Sequence, residues 1–451
     1  MESTNVSLPQ RLIGIAIAVV LVAGACFIPG SEALGREGII TLGALLALAA
    51  LWATSALPIG IIALLIPVTL IVLGAANAGA VFAGYAAPPL FFIIAVFALP
   101  VIMQKTQWGL RLINVLLKWT GSDSRKLVLG FMIATTLVST VMSDVPTTVL
   151  FLGFALTILK AAGAKPGSSN LGKCLMIAVP VASVTGGIAT PAGSSFNVVA
   201  MGIMQQTVGH GISFFDWMIV GVPLVIVMTP ILWFFLTTII KPEPISDECL
   251  QGIRDDAALT KVEAFDVKAL AIIIILVALI GLVVMFLPGM NLLTWREFQD
   301  SVPWGIVLMC GTIISIGGVV TATGGAQFLV NLVMGSGVTE LGFFLCMLIL
   351  FAFVYALHTV CPIGAAILGI FVPILIAVCA TFGVSPAVPT IGLAIAVAGN
   401  VLLPVNPTVM LTYGEGYYTF ADMFKTGIVP AIILILLLVT WVPFIAGVIG
   451  M

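Results

Sequence analysis

Residues 127–159 form an apolar run broken by a single charge, Asp144. Roughly 20 consecutive apolar residues are enough to cross a bilayer, so a run of this kind belongs in lipid. A carboxylate at membrane depth costs about 3 kcal/mol or more, and it persists where it faces a polar cavity, an ion or a partner. Around it the chain reads Ser143-Asp144-Val145-Pro146-Thr147-Thr148, and the proline ends a helix near the middle of the run. The backbone groups freed there find no water in lipid and need partners inside the protein. Such a segment predicts a binding site built within a membrane protein.

The rest of the chain agrees. It has 451 residues, 61% hydrophobic and only 8% charged, which excludes a soluble globular domain. Its apolar runs are continuous and rich in Leu, Ile, Ala and Gly, not the short alternating segments of a closed barrel, so the expected class is an all-α polytopic membrane protein. The net charge of −2 and the lack of a basic run give no footing for nucleic acid. Residues 12–29 are followed at once by further apolar runs and read as a retained helix, not a cleaved leader. The cysteines show no metal spacing, and most lie in apolar stretches as small buried hydrophobes. No Ser/His/Asp order, metal cluster, Rossmann pattern or P-loop is present, which argues against an enzyme or an ATP-driven pump.

Spans are predicted near 12–29, 38–56, 58–76 and 89–104, followed by an amphipathic stretch at 105–120. Next come the 127–159 segment, spans at 174–207 and 213–240, and a polar linker at 241–266. The second half has spans near 268–288 and 303–320 and a weakly polar arm to 333. A long apolar segment at 341–382 and spans at 388–413 and 427–449 complete it. At an offset of 216 the halves match Gly109 with Gly325, Gly121 with Gly337, Pro146 with Pro362, Gly153 with Gly369 and Pro191 with Pro407. Paired halves interrupted by Gly and Pro at matching positions mark a transporter with internal repeats. The expected organisation is an N-terminal transmembrane helix at 1–35, a first repeat at 36–240, a cytoplasmic linker at 241–266 and a second repeat at 267–451.

Basic residues flank the Asp144 segment on both sides: Lys105, Arg111, Lys118, Arg125 and Lys126 before it, Lys160, Lys165 and Lys173 after it. Both flanks are then cytoplasmic, as is the N-terminus, and 127–159 becomes a re-entrant hairpin with its tip at Ser143–Pro146. The second hairpin, 341–382, lacks basic flanks and suits the opposite face, giving two inverted repeats. Inversion needs two crossings between the linker and Arg296 where one is clear, so a shortened extra helix is expected within 242–288.

Three groups of residues carry chemistry. Asp144 is a candidate cation ligand or proton carrier, with Ser143, Thr147 and the backbone at Gly186 and Gly187 completing an oxygen set for a hard cation; it can equally cap the second hairpin helix. The run 186–197 (GGIATPAGSSFN) carries Thr190, Pro191, Ser194, Ser195 and Asn197 inside a span, with a second copy at 403–409 (LPVNPTV). Each reads as a broken helix, whose free N–H groups attract anions and free C=O groups attract cations, or as a close-packing hinge. His358 is the only ionisable side chain between Glu340 and Glu415 apart from cysteines and tyrosines; a substrate contact, a pH sensor and a neutral hydrogen-bonded histidine are all open to it. His210 belongs to a solvated loop. No Lys or Arg stands inside a span, so an anion must be held by hydroxyls, amides, helix ends and bound cations. Asp144 would repel a substrate carboxylate unless a cation or proton arrived first. Tyr417 and Tyr418 are expected as anchors at the bilayer surface.

Together the motif at 186–197, the loop at 403–409, SVPWG at 301–305 after LLTWREF, and the early ALWATSALPIG resemble the divalent anion:sodium symporter family of Indy-type carboxylate transporters, within the ion transporter superfamily. The likeness covers nearly the whole chain. That family carries Ser-Asn-Thr at each hairpin tip; here the tips read Ser143-Asp144-Val145 and Thr359-Val360-Cys361. The resemblance implies a fold of two repeats, each with a hairpin and a broken helix (174–207 and 388–413), which together hold two sodium ions and a carboxylate. It implies substrate contacts from Asp144, Val145, Thr190, Pro191, Ser194, Thr359, Val360, Cys361, Asn406, Pro407 and Thr408. Cation ligands would be Ser143, Asp144, Thr147, Gly186, Gly187, Asn197 and Thr359. The implied activity is sodium-coupled alternating-access transport of a dicarboxylate such as succinate or malate, by a homodimer in the cell (inner) membrane, with H⁺ as another possible coupling ion. A cation/proton antiporter of the same superfamily using Asp144, and a dicarboxylate exchanger without sodium, are the competing readings.

Overall fold

The structure is a computed structural model. It describes residues 8–451 apart from 55, 97, 99–100, 102–104, 106–122, 246–285, 288–291, 303, 336 and 361–363. The amphipathic stretch after Lys105, most of the 241–266 linker, the span near 268–288 with its expected extra helix, and Cys361 lie outside the described residues. The described chain is helical, and eight of its helices are long and apolar enough to cross a membrane. It is a multi-pass integral membrane protein.

Three helices open the chain: α1 (Leu8–Phe27), α2 (Arg36–Ala53) and α3 (Ile59–Val72). Pro67 inside α3 has no N–H to give the carbonyl of Ala63. That carbonyl instead accepts from the hydroxyls of Thr312 at 2.6 Å and Tyr85 at 3.2 Å, the second from the 3₁₀ turn Ala83–Ala86. Short α4 (Ala78–Phe82) and α5 (Pro88–Val96) precede a long series: α6 (Ser124–Met142), α7 (Asp144–Ala161), α8 (Asn170–Gly187), α9 (Ser195–Val208) and α10 (Phe214–Ile239). The second half begins with α11 (Trp295–Ser301), α12 (Trp304–Ala322) and α13 (Gly325–Gly335). It then repeats the series as α14 (Gly342–Val360), α15 (Gly364–Thr381), α16 (Ala387–Ala398), α17 (Pro407–Tyr413) and α18 (Phe420–Ile449). In both halves a pair of helices is followed by an interrupted helix, and a long helix closes the series.

Helices α6 and α7 fold back on each other. Run straight through, their outer ends would stand about 55 Å apart. Yet Ser124, at the start of α6, donates to the Glu243 carbonyl at 2.6 Å, and the Leu171 N–H, at the start of α8, donates to the Glu243 carboxylate at 2.7 Å. The short connection from Ala161 to Ser169 reaches at most about 29 Å, so the chain must reverse between them. It does so at Ser143, a single residue at φ 71° and ψ 156°. That conformation costs a non-glycine residue about 1–3 kcal/mol and survives only where the surroundings enforce it.

The base of this hairpin is held by Glu243. Partial burial by itself would raise the pKa of its carboxyl, but the Ser169 hydroxyl and the backbone N–H groups of Leu171 and Asn170 outweigh it and hold the group below the usual carboxylate range. A lowered folded-state pKa contributes stability above the unfolded value, and that stability is lost as pH falls through the lowered one. Glu243→Gln is expected to destabilise the fold by less than about 1 kcal/mol, because solvent screens this surface group, and so to lower the melting temperature in detergent only slightly. The difference from wild type should vanish on acidification, which a melting series from neutral pH to about pH 3 checks.

Tyr417 and Tyr418 are not surface anchors. Both are buried, with their hydroxyls near the Ala164 carbonyl at 3.3 Å and the Val409 carbonyl at 3.2 Å. A phenol can serve a loop carbonyl as well as a lipid headgroup, and here the 413–420 turn folds over the base of the hairpin. Gly172 leaves the room that the Tyr417 ring fills. His210 is exposed in the loop before α10, as expected.

Candidate functional site

The site is built from two interruptions and two tips. Helix α8 stops at Gly187, Thr190 caps the 3₁₀ turn Pro191–Gly193, and α9 starts at Ser195. A broken helix leaves carbonyls without their usual partners. Asn197 supplies them: its amide donates to the Gly187 carbonyl at 2.9 Å and the Thr190 carbonyl at 2.8 Å. The indole N–H of fully buried Trp217 serves the Ile188 carbonyl at 3.1 Å. The two strands of the break lie backbone to backbone, since a Cβ on Gly187 would meet the Gly193 carbonyl at 2.9 Å.

The first tip packs into this break. The Thr190 hydroxyl donates to the Thr140 carbonyl at 2.5 Å, and Ser183 on α8 donates to the Asp144 carbonyl at 2.6 Å. Ser139 on α6 donates to the Ser183 carbonyl at 2.6 Å. Asp144 opens α7, where the positive helix end favours a carboxylate. Its side chain accepts from the Val145 N–H at 3.0 Å and from the Ser143 hydroxyl at 3.3 Å. A third donor comes from the other half of the chain, the Thr408 hydroxyl at 3.3 Å. Thr408 is in the first turn of α17, which Asn406 caps by accepting the Thr408 N–H at 2.9 Å and which Pro407 starts at a position needing no N–H.

The second tip makes the corresponding contacts. Asn400, just after α16, donates to the Tyr355 carbonyl at 2.7 Å and to the Thr359 hydroxyl at 2.9 Å; the Thr359 hydroxyl donates to the same carbonyl at 2.8 Å. Beside Thr359, the ring of His358 stands edge-on to Phe196, in the first turn of α9, with centroids 6.1 Å apart and planes at 84°. Each tip thus touches the break of its own half and that of the other.

The residues read from the sequence sort accordingly. Ser143, Asp144 and Thr408 share one hydrogen-bonded cluster, Asn197 and Thr190 form a second with the Thr140 carbonyl, and Thr359 anchors a third with Asn400. Ser194 and Pro191 are buried in the first break, whereas Pro407 and Val145 are exposed, Val145 contributing its N–H. The Thr147 hydroxyl is committed to the Ser143 carbonyl at 2.7 Å, and Gly186 faces α6 in close packing. Val360 ends α14, and Cys361 lies outside the described residues. Asn197 fits a cation best on direct observation: it is 0% exposed, and its Oδ1 has no partner among the described residues. A buried acceptor oxygen with nothing to accept from is the donor type that a hard cation or a water takes. Ser139, Ser183, Asn400 and Phe196 escape the sequence reading. The polar three among them carry the signal that exposes Asp144, a polar side chain inside an apolar run.

A family model described as citrate transporter matches residues 49–368. The sodium-dependent dicarboxylate transporter SdcS of Staphylococcus saprophyticus is 25% identical over 97% of this chain and 92% of its own length. A membrane protein of Cupriavidus necator is 25% identical over 79% of this chain and 74% of its own. Among solved structures, the Alcanivorax borkumensis YdaH transporter aligns over 98% of both chains with a TM-score of 0.59 at 14% identity. Neisseria gonorrhoeae MtrF aligns over 97% of this chain and 94% of its own, with a TM-score of 0.55 at 14% identity. These two likenesses concern the fold.

Proposed function

The chain belongs to the citrate transporter family, one of transporters and not of enzymes, and on that premise we propose that it is a secondary active transporter carrying a small carboxylate with sodium. The observation that carries this reading is the hydrogen bond between Thr408 and Asp144, which joins the first tip to the second break. Two tips and two breaks meeting in one place supply free helix ends of both signs, hydroxyls and amides. A carboxylate and its cations can use these without a lysine or arginine. Asp144 takes the cation, and the cation removes the repulsion that the incoming anion would meet. Asn197, Ser143 and the carbonyls of the first break belong to the same oxygen-rich cation environment, and Thr359 with Asn400 supports its counterpart in the second half.

Alternating access follows from inverted repeats, 36–240 and 267–451, joined by the linker at 241–266. Contacts at the base of the first hairpin support the inversion. Tyr417 meets Ala164, and Lys173 pairs with Asp422 at 3.4 Å. The turn between α17 and α18 therefore shares a face with the base of the first hairpin. Since α16 and α17 are the halves of one interrupted helix, α16 and the end of α15 begin at the opposite face, and the second hairpin opens there. The basic flanks make the first face cytoplasmic. The resemblance further implies a homodimer.

Proteoliposomes test the reading. An inward sodium gradient is expected to drive labelled succinate or citrate at least about tenfold above a potassium control. A pH change on adding sodium, with no carboxylate moved, would instead assign cation/proton antiport and overturn it.

A further inference from the structure

Residues 186–200 make up the first break and the start of α9, and all but two of them are buried: only Ser195 and Phe196 are partly open. A solute arriving at this break therefore meets the first turn of α9. Ser195 offers it a hydroxyl at a helix start, and Phe196 offers an apolar ring. Phe196 is also the only aromatic residue in the two interruptions, 186–197 and 403–409.

The ring is braced from behind. Its far edge abuts Gly364, the first residue of α15, where an added Cβ would stand only 2.8 Å from it. His358, at the end of α14, meets it edge-on at 6.1 Å and 84°, an arrangement that aromatic rings favour. Both arms of the second hairpin thus hold the ring close to their tip. A side chain packed this closely transmits force to its neighbours and does not swing aside. At the first tip and the second break the open apolar side chains are Val145 and Pro407, next in sequence to Asp144 and Thr408.

A dicarboxylate has two charged ends and a hydrocarbon middle. The ends need helix ends, hydroxyls and cations, and the middle needs apolar surface of fitting size. We infer that Phe196 is a specificity-determining residue, a fixed wall between the first break and the second tip that limits how long a hydrocarbon middle the site admits. This rests on the carboxylate-transport reading above and deepens it. One methylene too many in an apolar pocket costs about 10–200-fold in discrimination, so a braced ring is enough to separate short dicarboxylates from long ones.

Competition in proteoliposomes is the test. Sodium-driven uptake of labelled succinate, or of labelled citrate if only that is carried, is competed with unlabelled succinate, glutarate and adipate. In wild type adipate should compete at least about tenfold more weakly than succinate. Phe196→Ala removes the wall and should bring adipate at least about tenfold closer to succinate. Phe196→Leu, which keeps apolar packing against Gly364, should have a smaller effect in the same direction. The ratio of the two competitors is the readout that a merely structural role would not move, because a loosened tip weakens both alike. An unchanged ratio in both variants, or a wild type that accepts adipate as readily as succinate, overturns the inference and leaves carboxylate transport intact. Failure of wild type to move any carboxylate defeats the underlying reading, and the inference with it. If neither variant folds, the wild-type series still decides: a length limit supports the wall, and its absence removes it.

Discussion

Asp144→Asn is expected to weaken the sodium dependence of uptake by about 10–100-fold while leaving the protein folded. The amide has the shape of the carboxylate: its oxygen can still accept from the Val145 N–H, and its NH2, standing where the second carboxylate oxygen was, can donate to the Thr408 hydroxyl oxygen, so the tip keeps its contacts. What it loses is the charge. An interaction with a charged group is worth about 1.5–3 kcal/mol, and each 1.4 kcal/mol is a factor of about ten in affinity. The same change should help the anion when sodium is absent. Two unit charges about 5 Å apart repel by about 3 kcal/mol at an effective dielectric of about 20. The variant should therefore bind carboxylate without sodium better than wild type does, while transporting it with a poorer sodium response. Uptake at graded sodium concentrations and sodium-free binding measure the two effects. An unchanged sodium curve would remove Asp144 from the coupling.

Gly186→Ala is expected to be the most damaging small substitution in the first break. The added Cβ would stand 2.3 Å from the Thr136 carbonyl oxygen and 2.9 Å from the Ser139 Cβ, both on α6. A backbone oxygen cannot rotate aside, so the first arm of the hairpin must move away from α8. That movement strains the bonds from Thr136 to the Ala182 carbonyl at 3.2 Å and from Ser139 to the Ser183 carbonyl at 2.6 Å. Overpacking of this kind costs about 1–3 kcal/mol, occasionally more. A fall in melting temperature of several degrees and at least a tenfold loss of uptake should follow. Gly153→Ala is the control. Its Cβ would meet nothing within 4 Å, and alanine is the better helix former by up to about 1 kcal/mol. A Gly186→Ala protein that melts and transports like wild type would contradict the packing described here.

Much of this site could be read before any coordinates. The lone Asp144, the neighbouring Pro146 and the basic flanks located the reversal, and Ser143 is where the backbone takes φ 71°. The glycines and hydroxyls of 186–197 located the first break. Other features were beyond that reading. Thr408 is 264 residues from Asp144, and nothing local to either residue names the other. Tyr417 looked like a membrane anchor because aromatic residues near span ends often are; the room beside Gly172 turned it inward. Asn400 passed unnoticed because its task, holding the Tyr355 carbonyl and the Thr359 hydroxyl, exists only once α14 and α16 lie side by side.

Apolar length, one carboxylate and a few helix-breaking residues were enough to determine a helical membrane protein that interrupts its own helices and must satisfy them from within. Those are properties of the chain against its solvent, and each acts over a few residues. Which hydroxyl meets which carbonyl was decided by the packed structure. Hydrogen bonds form only within about 3 Å, and the helices that come that close are chosen by side-chain fit across the whole fold.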